Sequence, residues 1–247
     1  PGNFFQGNHL SEERILSQGN RSPSKNWVIR FITSSVGQKI LMGLTGLGLC
    51  GFLVGHLSGN LLMYKGEGHY NEYAHFLHSS ELLPVIELGL FLMFIVHILL
   101  AFTTARTNTS ARDVTYAEKQ SKLPLGMLII TPHNFMFATG IVVLIFLGVH
   151  LTDMKFADLG LRLKAPAPET TPFQHSLAVL KDPISAAVYV VGSLVLGVHL
   201  AHGFQSAFRS IGFSHPKYSP CLGKFSIFFA IVIALGFASL PIWFHFN

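Results

Sequence analysis

Charge is what this chain has least of. Only 12% of its 247 residues are Asp, Glu, Lys or Arg, against roughly 25% in ordinary soluble domains. With half of the residues hydrophobic and a mean hydropathy of +0.47, that scarcity excludes a water-soluble globular enzyme. Cysteine is almost as scarce. Cys50 falls inside an apolar run and Cys221 in a polar loop, so neither a disulfide nor a thiolate zinc site is expected. No dinucleotide-binding fingerprint and no cysteine cluster is read, which leaves no sign of flavin or iron–sulfur chemistry in the chain itself. The first 30 residues hold no apolar stretch of signal-peptide type. The formal charge of +5 does not point to nucleic acid; in a membrane protein it reflects basic cytoplasmic loops and anionic lipid.

What the chain has in quantity is long apolar runs. A helix needs about 20 residues to cross the hydrocarbon core. Five runs meet that length, at approximately 40–64, 82–104, 127–151, 184–208 and 225–243. The expectation is an all-α membrane protein, an up-and-down bundle of five transmembrane helices over 34–247, preceded by a cytoplasmic leader at 1–33. Pro84 sits in the first turn of the second run, where proline is tolerated, and Pro132 marks where the third becomes regular. The loop 65–81 has room for a short helix. The connection 152–183 is the longest and holds Pro166, Pro168, Pro172 and Pro183. Lys and Arg number 12 on the side of the N-terminus and 5 on the other. The positive-inside rule then puts the N-terminus in the cytoplasm and the C-terminus outside, as in a bacterial inner membrane.

Histidine is the other abundance: 13, more than the 12 acidic residues. His56, His97, His150 and His199 each lie in the second half of a different apolar run. An ionisable residue at bilayer depth is costly and marks function by default. Because successive helices alternate in direction, His56 and His150 fall at the outer level, and His97 and His199 at the inner one. At about 1.5 Å per residue the levels are on the order of 10–20 Å apart. Two haem irons, each held by two imidazoles, fit that arrangement, and six-coordination favours electron transfer over oxygen chemistry. A single such histidine is more often a core residue bonded to Ser or Thr; four at matched depths favour ligation. No carboxylate or thiolate stands near them in sequence, which disfavours other metals.

Several other residues are candidates. His202, three residues after His199 on about the same side of its helix, is an alternative ligand or a propionate or backbone partner. Gly51, Gly55 and Gly59 form one small-residue face, suited either to helix packing or to a flat macrocycle beside His56. Anionic propionates need donors: Arg106, Arg112 and Arg209 at the inner end, and Lys65, His69 and Lys155 at the outer end. A quinone carbonyl needs a donor and a proton source. Ser34, Ser35, Lys39 and His133 are the inner candidates, and Glu72, His75, His78 and Glu81 the outer ones. Glu87 is read as the one acid clearly inside a span.

These stretches carry a resemblance. They are Ser34-Ser35-Val36-Gly37-Gln38-Lys39-Ile40-Leu41-Met42 with Thr45-Gly46, then Gly55-His56-Leu57-Ser58-Gly59-Asn60-Leu61, and Tyr73-Ala74 with Leu77. His97, Thr139-Gly140 before His150, and His199 with Gly203 and Gly212 follow. Together they resemble the cytochrome b membrane-anchor subunit of succinate dehydrogenases and fumarate reductases, the complex II family, in its single-chain, five-helix, two-haem form. The resemblance covers about 34–212, and the ordered set of four histidines is its specific part. It implies two haem b groups, the distal one on His56 and His150 and the proximal one on His97 and His199, which favours His199 over His202. It also implies a flavoprotein subunit with FAD, an iron–sulfur subunit and menaquinone as the quinone, and it leaves open a higher oligomer of the whole complex. The chain would then be the electron-carrying anchor of an enzyme and not its dicarboxylate site. Where some members carry a Glu two residues before the fourth ligand, this chain has Gly197, so that proton route is not expected.

Two rival readings stand beside this one. A cytochrome b anchor of another respiratory complex would place its ligands on other helices or at other spacings. A histidine-bearing transporter without haem would show broken helices and internal repeats, and neither is read in the sequence.

Overall fold

The computed structural model describes residues 26–110 and 132–247, with the side chains of 107–110 and 132–134 outside that description. Two units divide the chain, Pro1–Gln38 and Lys39–Asn247. In the first, the Asn26 side chain caps helix α1 (Trp27–Thr33) by accepting from the Val28 N–H. Ser34 then turns the chain. Its hydroxyl donates to the Phe31 carbonyl at 2.7 Å and accepts from the Gly37 N–H at 3.0 Å, and α2 (Ser35–Asn60) begins.

Among the described residues, five helices are long and apolar enough to cross a membrane, the pattern of a multi-pass membrane protein. They are α2, α4 (Leu83–Ser110), α5 (Pro132–Met154), α7 (Pro183–Ser210) and α8 (Ser219–Phe246). Helix is the expected form there, because only internal bonding satisfies backbone groups in lipid. Among the described residues no strand is present. Shorter elements link the spans: a 3₁₀ turn at Leu61–Lys65, α3 (Glu67–His78), a second 3₁₀ turn at Ala157–Leu159, and α6 (Pro172–Lys181). Thr171 and Gln174 form a capping box at the start of α6. Asp182 both ends α6 and caps α7, accepting from the Ser185 N–H at 2.8 Å ahead of Pro183.

Neighbouring spans run antiparallel, as their contacts show. Between α2 and α4, Gly46 faces His97 and Gly48 faces Met93. Between α4 and α5, Glu87 meets Lys155 and Phe102 meets Phe137. Between α5 and α7, Thr139 meets His199 and Phe146 meets Tyr189. The bundle is therefore up-and-down, as expected.

Packing is uneven around it. The α7–α8 seam is tightest: a Cβ at Gly197 would lie 2.5 Å from that of Ala234, and the Ser226 hydroxyl donates to the Ala201 carbonyl at 2.8 Å. Helix α2 lies against this pair through Cys50 and Leu57, which form a core with Leu200, Ala230 and Ile233. Met63, Val179, Leu180, Tyr189 and Leu240 form a second core near the other end. By contrast, no residue of α4 from Leu83 to Arg106 is buried.

The structure departs from the sequence reading at two places in this part of the fold. The third span continues past Leu151 and takes in Asp153 and Met154. The connection 152–183 contains a regular helix, α6. Gly46, Gly48 and Gly51 share the glycine spacing of a dinucleotide fingerprint, but they lie mid-way along α2 and not on the strand-to-helix turn that such a motif requires.

Candidate paired-histidine site

The four histidines fall at two levels along the bundle, His56 with His150 and His97 with His199. His56 on α2 and His150 on α5 face each other edge to face, with ring centroids 5.8 Å apart. Each ring leans on a phenylalanine one turn earlier on its own helix, Phe52 for His56 at 5.2 Å and Phe146 for His150 at 6.0 Å. Phe237 of α8 and Tyr189 of α7 close the sides, at 5.6 Å and 5.7 Å. The Nδ1 atom of His150 is buried with no hydrogen-bond partner among the described residues. Asn60 Nδ2 lies 3.4 Å from His56 Nδ1 and donates at 2.7 Å to the His56 carbonyl.

His97 on α4 and His199 on α7 lie within electrostatic range of each other. Here both rings are held by threonine. Thr45 Oγ1 is 3.2 Å from His97 Nδ1, and Thr139 Oγ1 is 3.2 Å from His199 Nδ1. The next residue in each case is a glycine over which the ring lies: a Cβ on Gly46 would be 3.4 Å from His97 Cε1, and one on Gly140 would be 3.3 Å from His199 Cε1. Along α2, ten residues separate Gly46 from His56, and along α5 ten separate Gly140 from His150. At about 1.5 Å per residue the two levels are roughly 15 Å apart.

This geometry exposes an internal repeat that the sequence reading did not find. Thr45, Phe52 and His56 on α2 match Thr139, Phe146 and His150 on α5, at identical spacing. Each threonine reaches the histidine of the following span.

The other candidates are placed as follows. A Cβ at Gly51 or Gly55 would meet nothing within 4 Å, whereas one at Gly59 would run into the Tyr73 ring. Helix packing thus accounts for Gly59 and not for the other two. His202 is exposed; its Nδ1–H donates to the Val198 carbonyl of its own helix at 3.1 Å and its ring meets Phe135. Arg209 is exposed in the last turn of α7, and Arg106 is exposed near the end of α4. Arg112 lies outside the described residues, as does the side chain of His133. Lys39 is exposed, and so are Glu72 and His78 on α3; the structure brings none of them into a common cavity. Ser34 is occupied with its own turn, and Ser35 opens α2.

Glu87 is ion-paired with Lys155 at 2.6 Å, both side chains about half exposed. It is not the one acid inside a span. Asp153, in the last turn of α5, has a fully buried side chain. Arg162 holds it with a forked pair of bonds, Nε to Oδ1 at 2.9 Å and the terminal nitrogen to Oδ2 at 2.7 Å. Arg162 also donates to Ser185, whose hydroxyl donates to Asp182 at 2.8 Å. His175 Nε2–H donates to the Asp153 carbonyl at 2.8 Å. The Asp153 carboxylate keeps the Arg162 guanidinium above its already high range. The two Ser185 donors hold the Asp182 carboxyl below the usual carboxylate value.

Among the described residues, no group of three or more His, Cys, Asp or Glu is arranged to hold a metal ion. Comparison with protein-family models, with curated proteins and with solved structures found no match.

Proposed function

We propose that this chain is the di-haem cytochrome b anchor of a succinate:quinone oxidoreductase, carrying electrons between an iron–sulfur subunit and membrane quinone. The observation that carries the reading is the assembly of two histidine pairs from four consecutive spans. A bare metal ion in a protein needs three or four side-chain ligands. A haem iron needs only two, because the macrocycle supplies the rest. Pairs with no third ligand among the described residues suit the haem better than a bare ion.

The residues fit such a group in three further ways. His56 and His150 face each other with ring centroids 5.8 Å apart, so both imidazoles would be within reach of a single haem iron. Gly51 and Gly55 leave the face of α2 beside His56 flat. Helix α4 reaches the bundle through side chains such as His97 and Met93, which suits a macrocycle shared between helices. His56 and His150 would hold the outer haem, and His97 and His199 the inner one. When bound, two six-coordinate haems supply a one-electron relay across the membrane. A separation of roughly 15 Å between levels makes the protein's task one of holding two sites in series.

Choosing the complex II family over another respiratory anchor rests on the order of ligands and on the resemblance at 34–212. The cytoplasmic N-terminus, the bacterial inner membrane, the flavoprotein and iron–sulfur partners, and menaquinone belong to the same reading. The transporter alternative is disfavoured by the spans themselves, each a continuous helix, although the α2–α5 repeat is of a kind transporters also have.

The test is a reduced-minus-oxidised spectrum of the chain purified from membranes with its partners. A haem b alpha band and co-purification of flavoprotein and iron–sulfur subunits are expected. His56→Ala and His150→Ala should remove one haem, and His97→Ala and His199→Ala the other. Absence of the band would end the haem reading; a band without those subunits would assign the chain to another cytochrome.

A further inference from the structure

The two threonines that meet the inner histidines leave little freedom over where their protons go. A hydroxyl has one proton to donate and lone pairs to accept with. Thr45 Oγ1 lies 2.8 Å from the Leu41 carbonyl and 3.1 Å from that of Met42. Thr139 Oγ1 lies 3.0 Å from the Met136 carbonyl. Carbonyls only accept, so each threonine donates to its own helix. Towards histidine it can then only accept. With the threonine protons so placed, His97 and His199 carry their own proton on Nδ1, which leaves the lone pair of a neutral imidazole on Nε2. The same contact occurs twice, at 3.2 Å each time, with a glycine beside it each time. At the outer pair there is no counterpart: His150 Nδ1 has no partner among the described residues, and His56 Nδ1 faces only an amide donor at 3.4 Å.

We infer that Thr45 and Thr139 are positioning residues for the inner haem, fixing the tautomer and ring direction of His97 and His199 so that both Nε2 atoms are presented to iron. This rests on the di-haem reading. An acceptor on the distal ring nitrogen makes the imidazole a more basic ligand, which favours ferric over ferrous iron and lowers the midpoint potential of that haem. Removing the hydroxyl while keeping the side-chain shape raises it.

The experiment is a redox titration of the alpha bands of the full chain in membranes, comparing wild type with Thr45→Val, Thr139→Val, Thr45→Ser and Thr139→Ser. The inner haem is identified as the one missing in His97→Ala. Each valine variant should shift the ferric preference of the inner haem on the order of tenfold, a rise of about 59 mV for one electron. The outer haem should keep its potential and serve as the control for folding. Complete loss of the inner haem alone, restored in the serine variant, also supports the inference. Two haems with unchanged potentials in both valine variants would overturn it while leaving the proposed function standing. Equal shifts in both haems would overturn it too, since a general loosening would act on both. A wild-type chain without paired-imidazole haems would remove the inference and the function together.

Discussion

The Asp153–Arg162 pair supports a prediction that needs no cofactor. Asp153 exposes none of its side chain and Arg162 about a quarter of its own, and both forked bonds are short. Replacing Arg162 by Gln leaves a carboxylate buried at the end of a membrane span. Removing one partner of a buried pair costs about 3–5 kcal/mol. Arg162 keeps some contact with solvent, so the lower end, about 3 kcal/mol, applies. For a chain of this size each kcal/mol moves Tm by roughly 2–4 °C, which gives a fall of about 6–12 °C. Thermal unfolding in detergent, followed by circular dichroism, measures it. Arg162→Lys should fall between, since it keeps the charge and loses the fork. The double variant Asp153→Asn, Arg162→Gln should recover at least about 1 kcal/mol of the single loss, as contacting residues show coupling of that size. If Arg162→Gln melted within about 2 °C of wild type, or the two changes were additive, the pair would not be holding α5 to the loop that follows it.

Three further outcomes are expected. Gly197→Leu should destabilise the protein by about 1–3 kcal/mol through overpacking, because any side chain there meets Ala234 and the Ala230 carbonyl; the same melting assay reads it. Asp182→Ala should cost about 1 kcal/mol at neutral pH by loss of the α7 cap. Because the folded carboxyl titrates below its ordinary value, that stabilisation is complete above about pH 4 and is lost as the pH falls through the lower folded value; the gap between Asp182→Ala and wild type should close in acid melts. On the proposed di-haem reading, His202→Ala should leave both alpha bands in place while His199→Ala removes one, because His202 is turned to its own backbone and to Phe135.

The five spans were legible because an apolar run of bilayer length permits almost nothing except helix. The facing of His56 and His150 was legible because alternation of direction fixes depth. The end of the third span was misplaced because Asp153 reads as a loop residue until Arg162, nine positions later, is seen to cover it. Helix α6 was missed among prolines, although Thr171-Pro172-Phe173-Gln174 carries a helix-start signature. The face of Gly51, Gly55 and Gly59 was not divisible from sequence, because spacing shows which residues share a side and not what lies opposite. Thr45 and Thr139 were noticed as part of a motif without a role, since an acceptor on a different helix leaves no local mark. Their shared distance to Phe and His was there to be counted.

The tight seam between α7 and α8 has a consequence for how the chain is made. Ribosomes deliver the spans in order, so α2, α4 and α5 enter the lipid before the two helices that hold each other most closely. Leu57 and Cys50 find their core only when Leu200 and Ile233 arrive. These contacts predict that the bundle closes late and from its C-terminal end, so that a chain interrupted before Ser219 would leave the earlier spans in the bilayer without the wall they are shaped to meet.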